Sequence, residues 1–460
     1  MFRSFAASTS SHARSTACFL LVFAISQAAC GSNDGATDLS VVNDASVFDE
    51  GAPDLAAFDA ASDAATGTSI TGKVVGASNS PATSAKVLIQ GKMATTSATG
   101  TFTISGVTVP YDVTVLLPTG AYSPPNAPLS TTFVGLSGTS PLLSISTKAM
   151  PASATIAGNL SGGAGFPNVV GASYQVHPTG PSVGGSVSNG GNQTQTGPYQ
   201  VEPRWAEDQA TQTITIHALQ YIPATGIPTS YPGYGTTTAF ATPNSASLTT
   251  QNIILAAATT STVDGTIVVP AGFTLLSRYL NAAPGLGGSF HWSETSASTS
   301  FSYTAPNLGM GTLTVTVSAS GPNGEFASAA ASKIPPAGAT GLTITLPTPA
   351  VQTAPATNAT GANPTTAFSW TASPTAGCVY WVQLTSSVTN APQYTLYTTA
   401  TTVHFPDLSA ASITPPVGGA YQWQVNCIGP YPTIDSAVGA VGFGGLDYSV
   451  SSPQSAFLMQ

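Results

Sequence analysis

Groups that could move a proton, hold a metal or attack a carbonyl are sparse in this 460-residue sequence. Beyond His12 near the N-terminus, the histidines are His177, His217, His291 and His404. Apolar neighbours set the strand phase around each: Tyr174 and Val176, Ile214 and Ile216, Phe290 and Trp292, Val403 and Phe405. Every histidine falls on the opposite, outward phase or at a strand end. No His-x-x-x-His or Cys-x-x-Cys spacing occurs, so zinc chemistry has no support and neither metal nor cofactor is expected. A Gly-x-Ser-x-Gly elbow, a Walker loop and a dinucleotide fingerprint are also missing from the sequence.

The nearest approach to a catalytic cluster is Glu202, Glu207 and Asp208, beside Arg204 and Trp205. Paired carboxylates could serve a hydrolase as acid and base. A solvated, salt-bridged loop explains the same residues more simply, so no catalytic residue is assigned. A different chemistry is suggested by Tyr199, Trp205, Tyr221, Tyr231 and Tyr234. Exposed together, these rings would form a platform that stacks on sugars or anchors a partner. Otherwise they cover the edge of their own domain.

These groups must be positioned by a β architecture. Gly (46) and Pro (36) are abundant, hydrophobic residues make up 42% and charged residues only 6%. Apolar content is sufficient for cores, whereas helical bundles need many more Glu, Lys and Arg on their solvent faces. The net charge of -9 is uneven. Between Gly31 and Thr66 stand Asp34, Asp38, Asp44, Asp49, Glu50, Asp54, Asp59 and Asp63, with no base. Few cations follow, and they are scattered, which excludes the basic stripe that nucleic acid requires.

Residues 1–29 read as an export signal: Arg3, His12 and Arg14 precede a short apolar run from Ala17 to Ile25. The junction Ala28-Ala29-Cys30-Gly31-Ser32 resembles a bacterial lipoprotein lipobox, with Gln27 where that pattern usually has Leu. The resemblance implies acylation of Cys30, and Gly31 implies the outer membrane of a Gram-negative cell. Cleavage after Ser26-Gln27-Ala28 would instead release a secreted protein. Residues 30–66 form an acidic tether, whose flexible span is roughly 35 Å before charge repulsion extends it. No EF-hand spacing supports a metal-binding tail there.

Three segments open alike: Ile70-Thr71-Gly72-Lys73-Val74, Ile156-Ala157-Gly158-Asn159-Leu160 and Val263-Asp264-Gly265-Thr266-Ile267. Each leads to an alternating strand, Tyr111–Leu116, Thr213–Ala218 or Thr312–Val317, and closes on another near 142–145, 253–255 or 342–346. Period-two alternation and regular turn signals predict antiparallel β-sandwiches, an all-β chain in tandem units at 67–150, 151–259 and 260–347. The first unit resembles the carboxypeptidase regulatory-like, transthyretin-like sandwich, through Ile70–Val74, Ala85–Ile89, Thr96–Ile104 and Pro110–Val115. In that family such modules are non-catalytic appendages.

From 348 to 460 the pattern changes. Phe368-Ser369-Trp370, Val379–Leu384, Thr402–Phe405 and Tyr421–Cys427 resemble strands B, C, E and F of a fibronectin type III domain. In that architecture strands C and F are antiparallel neighbours. Cys378 is in phase with Tyr380 and Val382, and Cys427 with Trp423 and Val425, so a Cys378–Cys427 disulfide is expected. Two free buried thiols are the alternative. The Gly-rich stretch from Gly429 to Gly445 is a second, weaker candidate for recognition, as a loop at a sandwich end. Together these features suggest a non-catalytic surface lipoprotein with a membrane-inserted acyl anchor and a polysaccharide or surface protein as partner; a glycan-binding accessory protein is the alternative.

Overall fold

The computed structural model describes residues 67–460 except 77–80, 118–127, 146–151, 163–172, 180–196, 206–209, 286–287, 310, 323–326, 387, 415–416 and 440–446. The expected export signal, acidic tether and Cys30, and with them Glu207 and Asp208, lie outside the described residues. The described residues are nearly all β in their regular structure.

Its first unit holds β1 (Thr68–Val75), β2 (Lys86–Ile89), β3 (Lys92–Thr95), β4 (Thr101–Val107), β5 (Tyr111–Leu116), β6 (Leu129–Leu136) and β7 (Leu142–Ser144). The second holds β8 (Ala152–Ser153), β9 (Thr155–Gly162), β10 (Ser173–Thr179), β11 (Gly197–Val201) and β12 (Arg204–Trp205). It continues with β13 (Thr211–Tyr221), β14 (Gly233–Thr236), β15 (Phe240–Pro243), β16 (Ser247–Leu248) and β17 (Ile253–Leu255). In the third are β18 (Thr260–Val268), β19 (Thr274–Gly285), β20 (Gly288–Glu294), β21 (Ser300–Pro306), β22 (Thr312–Ser320), β23 (Ser328–Lys333) and β24 (Leu342–Thr345).

Alternation drives these strands. In β4, Phe102 and Ile104 are buried while Thr101, Thr103 and Ser105 face solvent. The opening phrase of each unit becomes the middle strand of a small sheet. Strands β1, β9 and β18 pair antiparallel with β4, β11 and β21, and parallel with β7, with β16 and β17, and with β24. The shared glycine lies opposite an aromatic each time: Gly72 faces Phe102, Gly158 faces Tyr199 and Gly265 faces Phe301. Added side chains there would strike the Phe102 ring at 2.6 Å in the first unit, and the Gln251 and Leu342 carbonyls in the other two.

The last unit comprises β25 (Val351–Ala354), β26 (Ala359–Ala362), β27 (Phe368–Thr371), β28 (Val379–Ser386), β29 (Gln393–Thr398) and β30 (Thr402–Val403). Then follow β31 (Ala420–Gly429), α1 (Ile434–Gly439), β32 (Tyr448–Ser451) and β33 (Ser455–Met459). One sheet runs β25-β27-β30; in the other, β28 lies between β29 and β31. The expected disulfide is present, joining Cys378 to Cys427 with their Cα atoms 5.2 Å apart. In the core of the same module, towards the other end of β31, Phe368, Trp423, Tyr421, Tyr394, Phe405 and Phe457 pack edge-to-face and stacked.

The units are more than beads on a string. A 14-stranded sheet runs β20-β19-β22-β23-β32-β31-β28-β29-β6-β5-β2-β3, with β33 attached to β31 and β26 to β33. The terminal unit is therefore the middle of a sheet shared with the third and first units. One junction is antiparallel, Ala329–Ala331 on β23 against Tyr448–Val450 on β32. The other is parallel, Gln393–Tyr397 on β29 against Leu129–Phe133 on β6. Phe133 and Tyr397 stack across that second seam at 5.2 Å. Within the Gly-rich stretch expected as a recognition loop, α1 carries Ile434, Ala437 and Val438 into the first unit's core, and residues 440–445 of that stretch lie outside the described residues. The Asp435 carboxylate on α1 accepts hydrogen bonds from the backbone N–H groups of Ser137 and Gly138.

Candidate functional site

The aromatic platform expected in the second unit does not form. Tyr199, Trp205, Tyr221 and Tyr231 are all buried, and Tyr234 is half-buried. Each burial has a local cause. The Tyr199 ring covers Gly158 on the neighbouring strand, and its hydroxyl donates to the Gln251 carbonyl. Trp205 on β12 sits opposite Ala152 and fills the core with Ile156, Ile214 and Ile253. Tyr221 and Tyr231 turn towards the third unit, where both meet Trp292 edge-to-face, at 5.7 and 5.2 Å. These last two rings do anchor a partner, but it is the next unit of the same chain. Phase was legible for Tyr199, two residues before Val201 on the inward side; the Trp292 contact has no local sequence signal.

His217 also departs from expectation. It lies on the predicted outward phase of β13, yet is buried because the third unit covers that face. On the same phase, Leu219 and Tyr221 join the third unit's core. The imidazole hydrogen-bonds Tyr234 Oη through Nδ1 at 2.8 Å and Thr179 Oγ1 through Nε2 at 3.1 Å. Burial lowers its pKa to about 4 and raises that of Tyr234 to about 12. His291 and His404 are exposed, and the β10 backbone places His177 opposite His217. Among the described residues no group of three His, Cys, Asp or Glu side chains could hold a metal.

Of the acidic cluster, Glu202 and Arg204 form an ion pair at 3.7 Å with both side chains half exposed. Screening by solvent leaves such a pair at about 0–1 kcal/mol, which fits the solvated-loop reading. A stronger pair was not foreseen. Arg278 on β19 and Glu294 on β20 meet at 2.8 Å between the sheets of the third unit. Tyr303 donates to Glu294 at 2.7 Å, and the guanidinium also donates to the Ser300 carbonyl at 2.6 Å. Burial and the Glu294 hydrogen bond raise the Tyr303 pKa. Arg278 interrupts the run Leu275-Leu276-Ser277-Arg278-Tyr279-Leu280, the one signal that could have found it.

A further polar group was missed. On the face of β28 and β31 turned away from the aromatic core, Gln383 lies opposite Gln424 and Thr385 opposite Gln422. With Gln454 and Trp423 they line a shallow cleft. Asn426, next on the same face, donates to the Trp381 carbonyl at 3.1 Å and to Gln383 Oε1 at 3.5 Å, and accepts from the Ser451 hydroxyl. Gln424 Nε2 donates to the Ser452 carbonyl at 2.7 Å. Trp381 is partly exposed beside this group, stacked on Tyr397 at 6.1 Å.

No family model matches the chain, and no curated protein matches it. Among solved structures, it is similar to a tetra-tandem repeat from the extending region of a large adhesion protein: 14% identity, 86% of this chain, 99% of that chain, TM-score 0.16. It is also similar to BcpA, the major pilin subunit of Bacillus cereus: 11% identity, 61% and 99% coverage, TM-score 0.14. A third similarity is to the Bacillus anthracis TIE protein, at 8% identity and TM-score 0.15 over 61% of this chain and 50% of that chain. The chain thus spans half the length of the TIE protein. Such TM-scores are too low to equate two folds, and the β architecture stands on this chain's own sheets.

Proposed function

We propose that this chain is a non-catalytic surface lipoprotein whose four β units form one scaffold, held off a membrane by an acidic tether and serving adhesion or surface structure. The observation that carries the reading is the sheet shared by the first, third and last units. Joined through backbone hydrogen bonds, those units present extended faces in fixed relation instead of a hinged string or an enclosed pocket. The disulfide fits an oxidising compartment. A transthyretin-like character for the first units is supported by the recurring small sheets, and a fibronectin-like one for the last by its division into β25-β27-β30 and β29-β28-β31. Anchoring through Cys30 rests on the leader and lipobox-like junction in the sequence.

Palmitate labelling of cells expressing the wild type or Cys30→Ala, followed by fractionation, tests this reading. Label and membrane retention in the wild type, both lost in Cys30→Ala, are the expected result. Recovery of an unlabelled wild-type protein from the cytosol would overturn it.

A further inference from the structure

We propose that the open face of the last unit's larger sheet binds a neutral polysaccharide, through Gln383, Thr385, Gln422, Gln424 and Gln454 with Trp381 alongside. The inference rests on the surface reading above only for access to such a polymer. Its basis is the register of β28 and β31, which sets Gln383 against Gln424 and Thr385 against Gln422 around one cleft. Side chains two apart along a strand are roughly 7 Å distant on the same face, so Trp381 flanks the amides at about the width of a sugar ring.

The chemistry of the lining selects the ligand class. Primary amides and hydroxyls both donate and accept hydrogen bonds, as sugar hydroxyls do. None of the strands β28, β29, β31, β32 and β33 carries a charged side chain. A phosphate or uronate would have no guanidinium or ammonium to meet it there. The partly exposed indole supplies an apolar surface for the C–H face of a ring. A peptide strand is disfavoured, because β28 is already paired on both sides by β29 and β31 and offers no free edge.

The inner part of the lining is also held in place before any ligand arrives. Asn426 fixes Gln383 and is itself fixed by Ser451, while Gln424 is tied to the Ser452 carbonyl. Ordering these side chains therefore costs little at binding. Gln422, Thr385 and Gln454 stay exposed at the rim, where a polymer could lie across them.

The test uses the full chain carrying Cys30→Ala, run in native gels containing β-1,3-glucan, β-1,4-glucan, mannan or galactan, with alginate as an acidic control. Retardation by at least one neutral polymer, insensitive to salt, is expected. Gln383→Ala and Gln422→Ala should each weaken it at least tenfold while leaving the urea midpoint unchanged. Retardation by alginate alone, by none of the polymers, or equally in wild type and both variants overturns the proposal. Failure of the surface reading would show separately, in the fractionation of cells making the wild type.

Discussion

Gly158 on β9 lies directly across from Tyr199 on β11, and the phenol ring occupies the space beside it while donating to the Gln251 carbonyl. A residue suited by type to sugar stacking is thereby committed to covering a glycine that must be bare for the Gln251 backbone to approach. Gly158→Ala should destabilise the second unit by about 1–3 kcal/mol, since the Gln251 backbone blocks any relaxation. Tyr199→Ala should cost about 3–5 kcal/mol by opening a cavity. Urea unfolding followed by tryptophan fluorescence measures both, and wild-type midpoints would contradict the packing described.

The clamp of Tyr221 and Tyr231 on Trp292 makes a second prediction. Trp292→Ala should loosen the second unit from the third, at about 3–5 kcal/mol of lost packing. The readout is cooperativity: calorimetry should resolve an extra transition, and protease sensitivity should appear around residues 256–260. A single unshifted transition would mean that the two units do not depend on these rings.

Strand faces were largely legible in the sequence, because alternation reports which side of a strand is apolar. Phe102 and Ile104 on β4 and Val263 and Ile267 on β18 are buried as their phase requires. The pairing of Cys378 with Cys427 followed from the same phase and the resemblance of their strands. Alternation does not report whether the polar side is covered as well. His217 shares a face with Leu219 and Tyr221, and only the docking of the third unit buries that face. The seam between β29 and β6 joins residues more than 260 positions apart, as in the Ser130 hydroxyl bond to the Gln393 carbonyl. No local pattern encodes such a pairing. The amides of the cleft were readable as outward-facing, but their convergence depends on the register of β28 with β31.

The disulfide should stabilise more than its own module. Next to its half-cystines, Val379 and Ile428 point into the core of the first unit, alongside Tyr431 and α1. Cys378→Ser with Cys427→Ser removes a cross-link across 49 residues, with a contribution of up to about 4 kcal/mol on the chain-entropy view. The lowered urea midpoint should be accompanied by faster amide exchange at Ser137 and Gly138, which Asp435 holds. Exchange changes confined to β28 and β31 would show that the two units unfold independently.

His217 makes the fold sensitive to acid. Its folded pKa is lowered to about 4 by burial, whereas the unfolded chain titrates near 6.5. Between these values the unfolded state binds the extra proton, so stability rises with pH through this window and falls on acidification from about 6.5 towards 4. Above the unfolded pKa both states are neutral and the penalty vanishes; below about 4 both are protonated and the loss levels off. A shift of this size corresponds to a loss on the order of 3 kcal/mol across the window. His217→Gln, which keeps a neutral hydrogen-bonding side chain between Tyr234 and Thr179, should flatten the profile of the second unit between pH 6.5 and 4. Urea midpoints taken across that range for wild type and variant decide the matter, because an identical slope in both would assign the acid sensitivity to other groups.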